Sequence, residues 1–175
     1  MKSACITILV FAIIVIVSAG MLGQKTSVKT EYLRLHIRAE SNSQEDQSVK
    51  YLIKDKVVEY LTPFISECDT KQKASDMLNQ RLDDICKVCD SVLSTNGFNY
   101  TAKANIKREE FPLRTYGELT LEQGFYDALI IELGSAQGDN WWCVVYPPLC
   151  FTESSASYEY KSKIFQIIQG FFSKP

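Results

Sequence analysis

Alternation of apolar and polar positions divides this chain into short strands and longer helical stretches. From Glu31 to Ala39 (EYLRLHIRA) the period is two, with Leu33, Leu35, Ile37 and Ala39 on one face and Tyr32, Arg34, His36 and Arg38 on the other. That pattern predicts a half-buried strand. Ser43, with Asp46 three residues on, resembles a capping box with Asp in place of Glu, and predicts the start of a helix. Val49, Leu52, Ile53, Val57, Tyr60, Leu61 and Phe64 then recur at three and four, giving one apolar stripe that runs up to the region of Pro63. A second helix is predicted from Asp69 and Gln72 onward. Ala74, Leu78, Leu82, Ile85, Cys89 and Val92 form its stripe, and Asn96-Gly97 supplies a left-handed stop. Joined through Glu67 to Thr70, the two helices make an antiparallel hairpin that has to pack on something flat.

The flat element follows. Phe98, Tyr100, Ala102, Ala104 and Ile106 alternate with polar residues, after which Lys107 to Glu110 reads as a solvated turn. Phe111 to Gly117 (FPLRTYG) suggests an edge strand, because Pro112 cannot donate to a central ladder. Phe125 to Leu133 (FYDALIIEL) is apolar on both faces except at Asp127 and Glu132, which predicts a central strand. Its expected partner, across the Gly134-to-Asn140 loop, is Asn140 to Tyr146 (NWWCVVY), ended by Pro147-Pro148. After a polar linker at residues 152–157, Tyr158 to Phe172 predicts a closing amphipathic helix. The sum is an α+β fold: a mainly antiparallel sheet packed against a two-helix hairpin, with a C-terminal helix.

Residues 1–23 stand apart from this scheme. Ala4 to Leu22 has no charged side chain, and Ile6 to Val17 is almost continuously aliphatic. Such a run enters a membrane or a translocon, either as a signal peptide cleaved after Val17-Ser18-Ala19 or as an uncleaved N-terminal membrane anchor over residues 4–22. Residues 24–151 are then an exported domain, and 152–175 the linker and terminal helix. With 175 residues, 46% of them hydrophobic, the chain can bury one sizeable core. The net charge of −2 is spread over mixed signs, so no broad basic field is present to hold a nucleic acid.

Catalytic patterns are weak. Cys86-x-x-Cys89 has the spacing of a redox pair or half a zinc site, yet it lies within a helical pattern rather than at a helix N-terminus, and no second pair accompanies it. His36 is the only histidine, without a G-x-S-x-G turn. Gly134-x-x-x-Gly138 lacks the Lys-Ser/Thr of a phosphate loop, and Asp127 is most simply a hydrogen-bonded core residue. No enzyme, cofactor or metal is expected. The dense segment is instead Gly134 to Phe151 (GSAQGDNWWCVVYPPLCF), whose tryptophans and prolines concentrate apolar area and stiff backbone in the manner of a recognition surface. Cys143 and Cys150 flank the prolines, and a chain reversal there brings both thiols within disulfide reach.

Four stretches together resemble one family, the stage II sporulation protein R family of endospore-forming bacteria: LRLHIRAESNSQEDQSVKYLIKDKV from Leu33, FPLRTYG from Phe111, GFYDALIIELG from Gly124 and GDNWWCVVYPPLCF from Gly138. The resemblance implies a protein made in the forespore and exported into the space between the forespore and mother-cell membranes. There it would trigger a membrane-embedded aspartic protease of the mother cell that processes the sigma-E precursor. On that reading Trp141, Trp142, Tyr146, Pro147 and Pro148 are the expected contact residues, with Arg34, His36 and Arg38 as a second patch. Adjacent tryptophans on a strand point to opposite faces, so at least one belongs to the core. The sequence itself leaves two alternatives: an extracytoplasmic thiol enzyme using Cys143 or Cys89, and an envelope structural or lipid-binding module. It does not report an oligomeric state.

Overall fold

Strand β1 (Leu33–Arg38) is the innermost part of the fold, and its burial explains the order of everything around it. In a computed structural model, which describes residues 32–117, 119–151 and the pair 169–170, Leu33 to Ile37 are each no more than 1% exposed. The strand alternates as predicted but is not half-buried: apolar residues cover both sides of it. It therefore sits inside a four-stranded sheet of order β2-β5-β1-β6, formed with β2 (Ala102–Phe111), β5 (Gly124–Leu133) and β6 (Asn140–Tyr146).

The sheet is mixed. β1 runs parallel to β5 and antiparallel to β6, while β2 is antiparallel to β5. β5 is central, as its two apolar faces require. The expected hairpin of β5 with β6 does not form, because β1 lies between them. In that place it buries five consecutive side chains that an edge position would leave half in water.

Helix α1 (Gln44–Ile65) starts where the capping pattern placed it: the Ser43 side chain accepts the Asp46 N–H at 3.1 Å. The second predicted helix is two helices, α2 (Lys71–Asn79) and α3 (Leu82–Thr95), so the predicted hairpin is a three-helix layer. The apolar spacing Leu78, Leu82, Ile85, Cys89 runs through the break, and no Gly or Pro marks it. At the break the Arg81 N–H closes a tight bond to the Leu78 carbonyl at 2.9 Å, and the Arg81 guanidinium lies 4.0 Å from the centre of the Phe64 ring on α1. The α2 cap is Thr70, not Asp69.

Two further expectations change. Lys107 to Glu110 is not a turn: all ten residues of β2 pair with β5, and their charges point into solvent or onto the sheet from an edge strand. Phe111 to Gly117 is not one edge strand. Pro112 stops the ladder after Phe111, and Arg114–Tyr116 (β3) pairs with Leu119–Leu121 (β4) as a separate two-stranded ribbon. Residues 1–23, read as signal peptide or anchor, and the linker at 152–157 lie outside the described residues. So does the closing helix, apart from Gln169 and Gly170, which are helical.

The loop from Gly134 to Asp139, which has to pass the end of β1, is fastened to the turn after β1. Gly138 N–H donates to the Ala39 carbonyl at 2.9 Å, Gln137 N–H to the Glu40 carbonyl at 3.1 Å and Asp139 N–H to the Asn42 side chain at 2.6 Å. The backbones approach so closely at Gly138 that an added Cβ would press into the Ser41 carbonyl and lie 3.0 Å from the Ala39 Cβ. Gly138→Ala is therefore expected to lose about 1 to 3 kcal/mol by overpacking, read as a lowered urea midpoint. An unchanged midpoint would show that the loop yields freely.

A cleft at the sheet edge beside a buried cationic and aromatic layer

Period two sends Leu33, Leu35 and Ile37 of β1 to the helices, where they join Ile53, Leu61 and Ile131 in the main core. It sends Arg34, His36 and Arg38 to the other face. Sheet pairing supplies their surroundings: Trp142 is opposite His36 on β6, and Ile130 is its partner on β5. A second small core of Phe111, Ala128 and Ile130, with Tyr126 and Trp142 against it, completes this layer.

His36 stacks on Trp142 with ring centres 3.6 Å apart, and Phe111 meets Trp142 edge-on at 4.7 Å. Nδ1 of His36 lies 2.9 Å from Glu109 and Nε2 lies 2.7 Å from Asn140 Oδ1. Burial is the largest influence on the ring and, with the positive charge of Arg38, holds its pKa below the ordinary 6.5 against the pull of those two partners. Arg38 donates to Glu132 at 2.8 Å and also to Glu109, and Lys107 lies 3.6 Å from Glu132.

Arg34 is different. It is 0% exposed, donates through Nε to the Cys143 carbonyl at 3.1 Å and through Nη2 to the Tyr116 hydroxyl at 2.9 Å, and leaves Nη1 without a partner among the described residues. Its guanidinium carbon lies 4.5, 5.0 and 5.6 Å from the ring centres of Phe111, Tyr126 and Tyr116. Burial lowers its pKa from the ordinary value, with the Tyr116 contact working the other way.

β6 is an outer strand of the sheet. A cleft of about 550 Å³ runs beside it, with Lys54 and Asp55 of α1 on one wall, Tyr116 and Gly117 of the ribbon on another, and Trp141 and Trp142 contributed by the strand itself. Lys54 pairs with Asp55 at 2.6 Å and places its ammonium 5.8 Å from the Trp141 ring centre. Cys143 and Cys150, joined as a disulfide with Cα atoms 6.0 Å apart, also line this cleft.

Five of the eight contact residues named from the sequence are buried: Arg34, His36, Tyr146, Pro147 and Pro148. Trp141, Trp142 and Arg38 keep exposed surface, and the two tryptophans face opposite sides of the sheet while meeting at the cleft. The structure thus joins Arg34, His36 and Arg38 to the tryptophan strand in one layer instead of presenting a second surface patch. Sequence reasoning missed Phe111, Tyr116, Tyr126, Glu109, Lys54 and Asp55. All but Glu109 lay in stretches already singled out: Phe111 and Tyr116 in FPLRTYG, Tyr126 in GFYDALIIELG, and Lys54 and Asp55 in the stretch that begins at Leu33.

The other thiols among the described residues are unsuited to nucleophilic work. Cys68 and Cys89 are buried, Cys86 half-buried, and burial pushes all three thiols up from their ordinary pKa. Asp127 is partly exposed and takes the Lys71 ammonium at 2.6 Å. Among the described residues no group of His, Cys, Asp or Glu could hold a metal ion, and no helix is long and apolar enough to cross a membrane.

The folded pKa of His36, Glu109 and Asp46 each lies below its ordinary value of 6.5, 4.5 and 3.8. For the two carboxylates burial acts upward but is outweighed. Glu109 is held down by its bonds to His36 and Arg38, and Asp46 by those from Ser41, Tyr100 and Ser43. A depressed folded pKa means that on acidification the unfolded chain takes up the proton first, so stability rises with pH through this window. The urea midpoint is expected to be level between about pH 7 and 8, to fall below about 6.5 through His36 and to fall more steeply below about 4.5. His36→Asn should remove the upper limb, and an identical profile in that variant would contradict the assignment.

Comparison with known proteins adds three findings. A family model described as stage II sporulation protein R matches residues 29–156. Stage II sporulation protein R of Bacillus subtilis (strain 168) is 29% identical over 163 residues, covering 88% of this chain and 73% of that protein. No solved structure matches.

Proposed function

Because this chain belongs to the stage II sporulation protein R family and so has a role in sporulation, we propose that it is an exported signal that acts by contact. It is exported from the forespore into the space between the forespore and mother-cell membranes. There it engages a membrane-embedded aspartic protease of the mother cell, which then processes the sigma-E precursor. The apolar run at Ala4 to Leu22 supports export or membrane anchoring, and a disulfide suits an extracytoplasmic compartment. The chain carries no reaction of its own on this reading.

The observation that carries the contact reading is the cleft beside β6. It brings Trp141 and Trp142, the cystine and the Lys54–Asp55 pair to one accessible place. Aromatic side chains in a partly enclosed depression are the usual anchors of a protein interface. Trp141 is the residue to test, since it is half-exposed and packs at the margin of the main core, while Trp142 is locked in the His36 stack. Trp141→Ala is expected to lower sigma-E precursor cleavage in sporulating cells by at least about tenfold, with an unchanged circular dichroism spectrum and melting profile. Full cleavage in that variant would remove the cleft from the contact. Alkylating Cys68, Cys86 and Cys89 should leave signalling intact, whereas its loss would favour a thiol enzyme.

A further inference from the structure

Buried charges are ordinarily paired with an opposite charge, because desolvation of a lone ion is costly. Arg34 breaks that rule. Among the described residues no carboxylate reaches it: Glu109 and Glu132, the acidic groups of the same layer, are taken by His36, Arg38 and Lys107. The nearby Arg114 adds positive charge instead of relieving it. Both groups that Arg34 does bond, the Cys143 backbone and the Tyr116 side chain, belong to residues that line the cleft, so the guanidinium lies behind that part of the cleft wall.

Among the described residues β6 is also an outer strand, so one side of its main chain has no ladder partner in the sheet, and an extended segment can add there. The opposite outer strand, β2, is guarded by exposed Lys103, Lys107, Arg108 and Glu110, which discourage pairing there. β6 has no charged side chain at all.

We propose that the cleft beside β6 is a carboxylate-binding site anchored on Arg34, and that its occupant is an acidic side chain carried by an extended segment of the partner polypeptide. The polypeptide origin rests on the contact reading above, whereas the carboxylate site does not. Arg34 is 0% exposed, so a carboxylate reaches it when the Tyr116 side chain is displaced on its ribbon; the freed Nη2 and the unpaired Nη1 then meet it in the two-pronged geometry that suits guanidinium.

The test uses the full-length chain in non-ionic detergent. Trp141 and Trp142, the only two tryptophans, line the cleft and report binding by fluorescence. The probes are N-acetylglutamate N-methylamide, its glutamine counterpart and acetate. The glutamate probe should give a saturable change, with the glutamine probe at least about tenfold weaker. Arg34→Lys should weaken the glutamate probe by about tenfold. Tyr116→Phe, which frees Nη2, should tighten it and decides the matter if the Arg34 variant does not fold. Equal responses to the two amino-acid probes, an unaltered response in Arg34→Lys, or weaker binding in Tyr116→Phe would each overturn the site. Acetate binding as tightly as the glutamate probe would overturn the polypeptide occupant. These readouts are separate from precursor cleavage, so the site can fail while the contact reading stands, and the reverse.

Discussion

Phe111→Ala is expected to be the most damaging single change, lowering stability by about 3 to 5 kcal/mol and the melting temperature by on the order of 10 °C. The ring is 0% exposed. It touches His36 at 5.9 Å, Tyr126 at 5.9 Å and Trp142 at 4.7 Å between ring centres, and lies under the Arg34 guanidinium. Truncation removes the apolar floor of the whole second layer and leaves a cavity bounded by a buried cation. Phe125, in the facing strand, is the matched control: it is 63% exposed, so Phe125→Ala should stay within about 0.5 kcal/mol of the parent. Chemical denaturation of both variants decides it. A similar small loss for both would mean that the layer repacks around the gap.

Next in size is the disulfide. Replacing Cys143 and Cys150 by serine together should cost about 2 to 3 kcal/mol, the loop-closure value for a sequence separation of 7. Reductant should lower the parent's melting temperature by a comparable amount and leave the double variant unmoved. The same change should weaken signalling beyond its effect on stability. The cystine lines the cleft, and Cys143 supplies the carbonyl that holds Arg34 Nε. If reductant shifts both proteins equally, the bridge contributes nothing in solution.

Local features were legible because each is written in neighbouring residues. The alternation of Leu33 to Arg38, the Ser43 cap and the two-sided apolar run of β5 appear where periodicity put them, and the stripe of α1 does so at Val49, Ile53, Val57 and Leu61, whereas Leu52 is exposed and Lys50, expected on or beside the wet face, is buried. Features that depend on neighbours distant in sequence were not. The break at Gln80-Arg81 leaves the helical spacing intact and is accompanied by the stacking of Arg81 on Phe64. Charges at Lys107 to Glu110 look like a turn until an edge strand gives them solvent on one side and Arg38 and His36 on the other.

The candidate site divides in the same way. Trp141, Trp142, Cys143 and Cys150 stand out by composition alone. That Tyr116, from a ribbon with its own pairing, and Lys54, from a helix, meet them at the edge of β6 follows from no local pattern.

By itself, then, the sequence determined the α+β class, the two faces of β1 and the segment that concentrates aromatic area. Only the tertiary structure decided that β1 lies between β5 and β6, which turns Arg34 and His36 from surface residues into buried ones and leaves β6 open at the edge. The physical reason is that periodicity reports the sidedness of an element with respect to its own axis. Strand order, and with it the burial of a charge, is set by how much apolar surface each possible neighbour can cover.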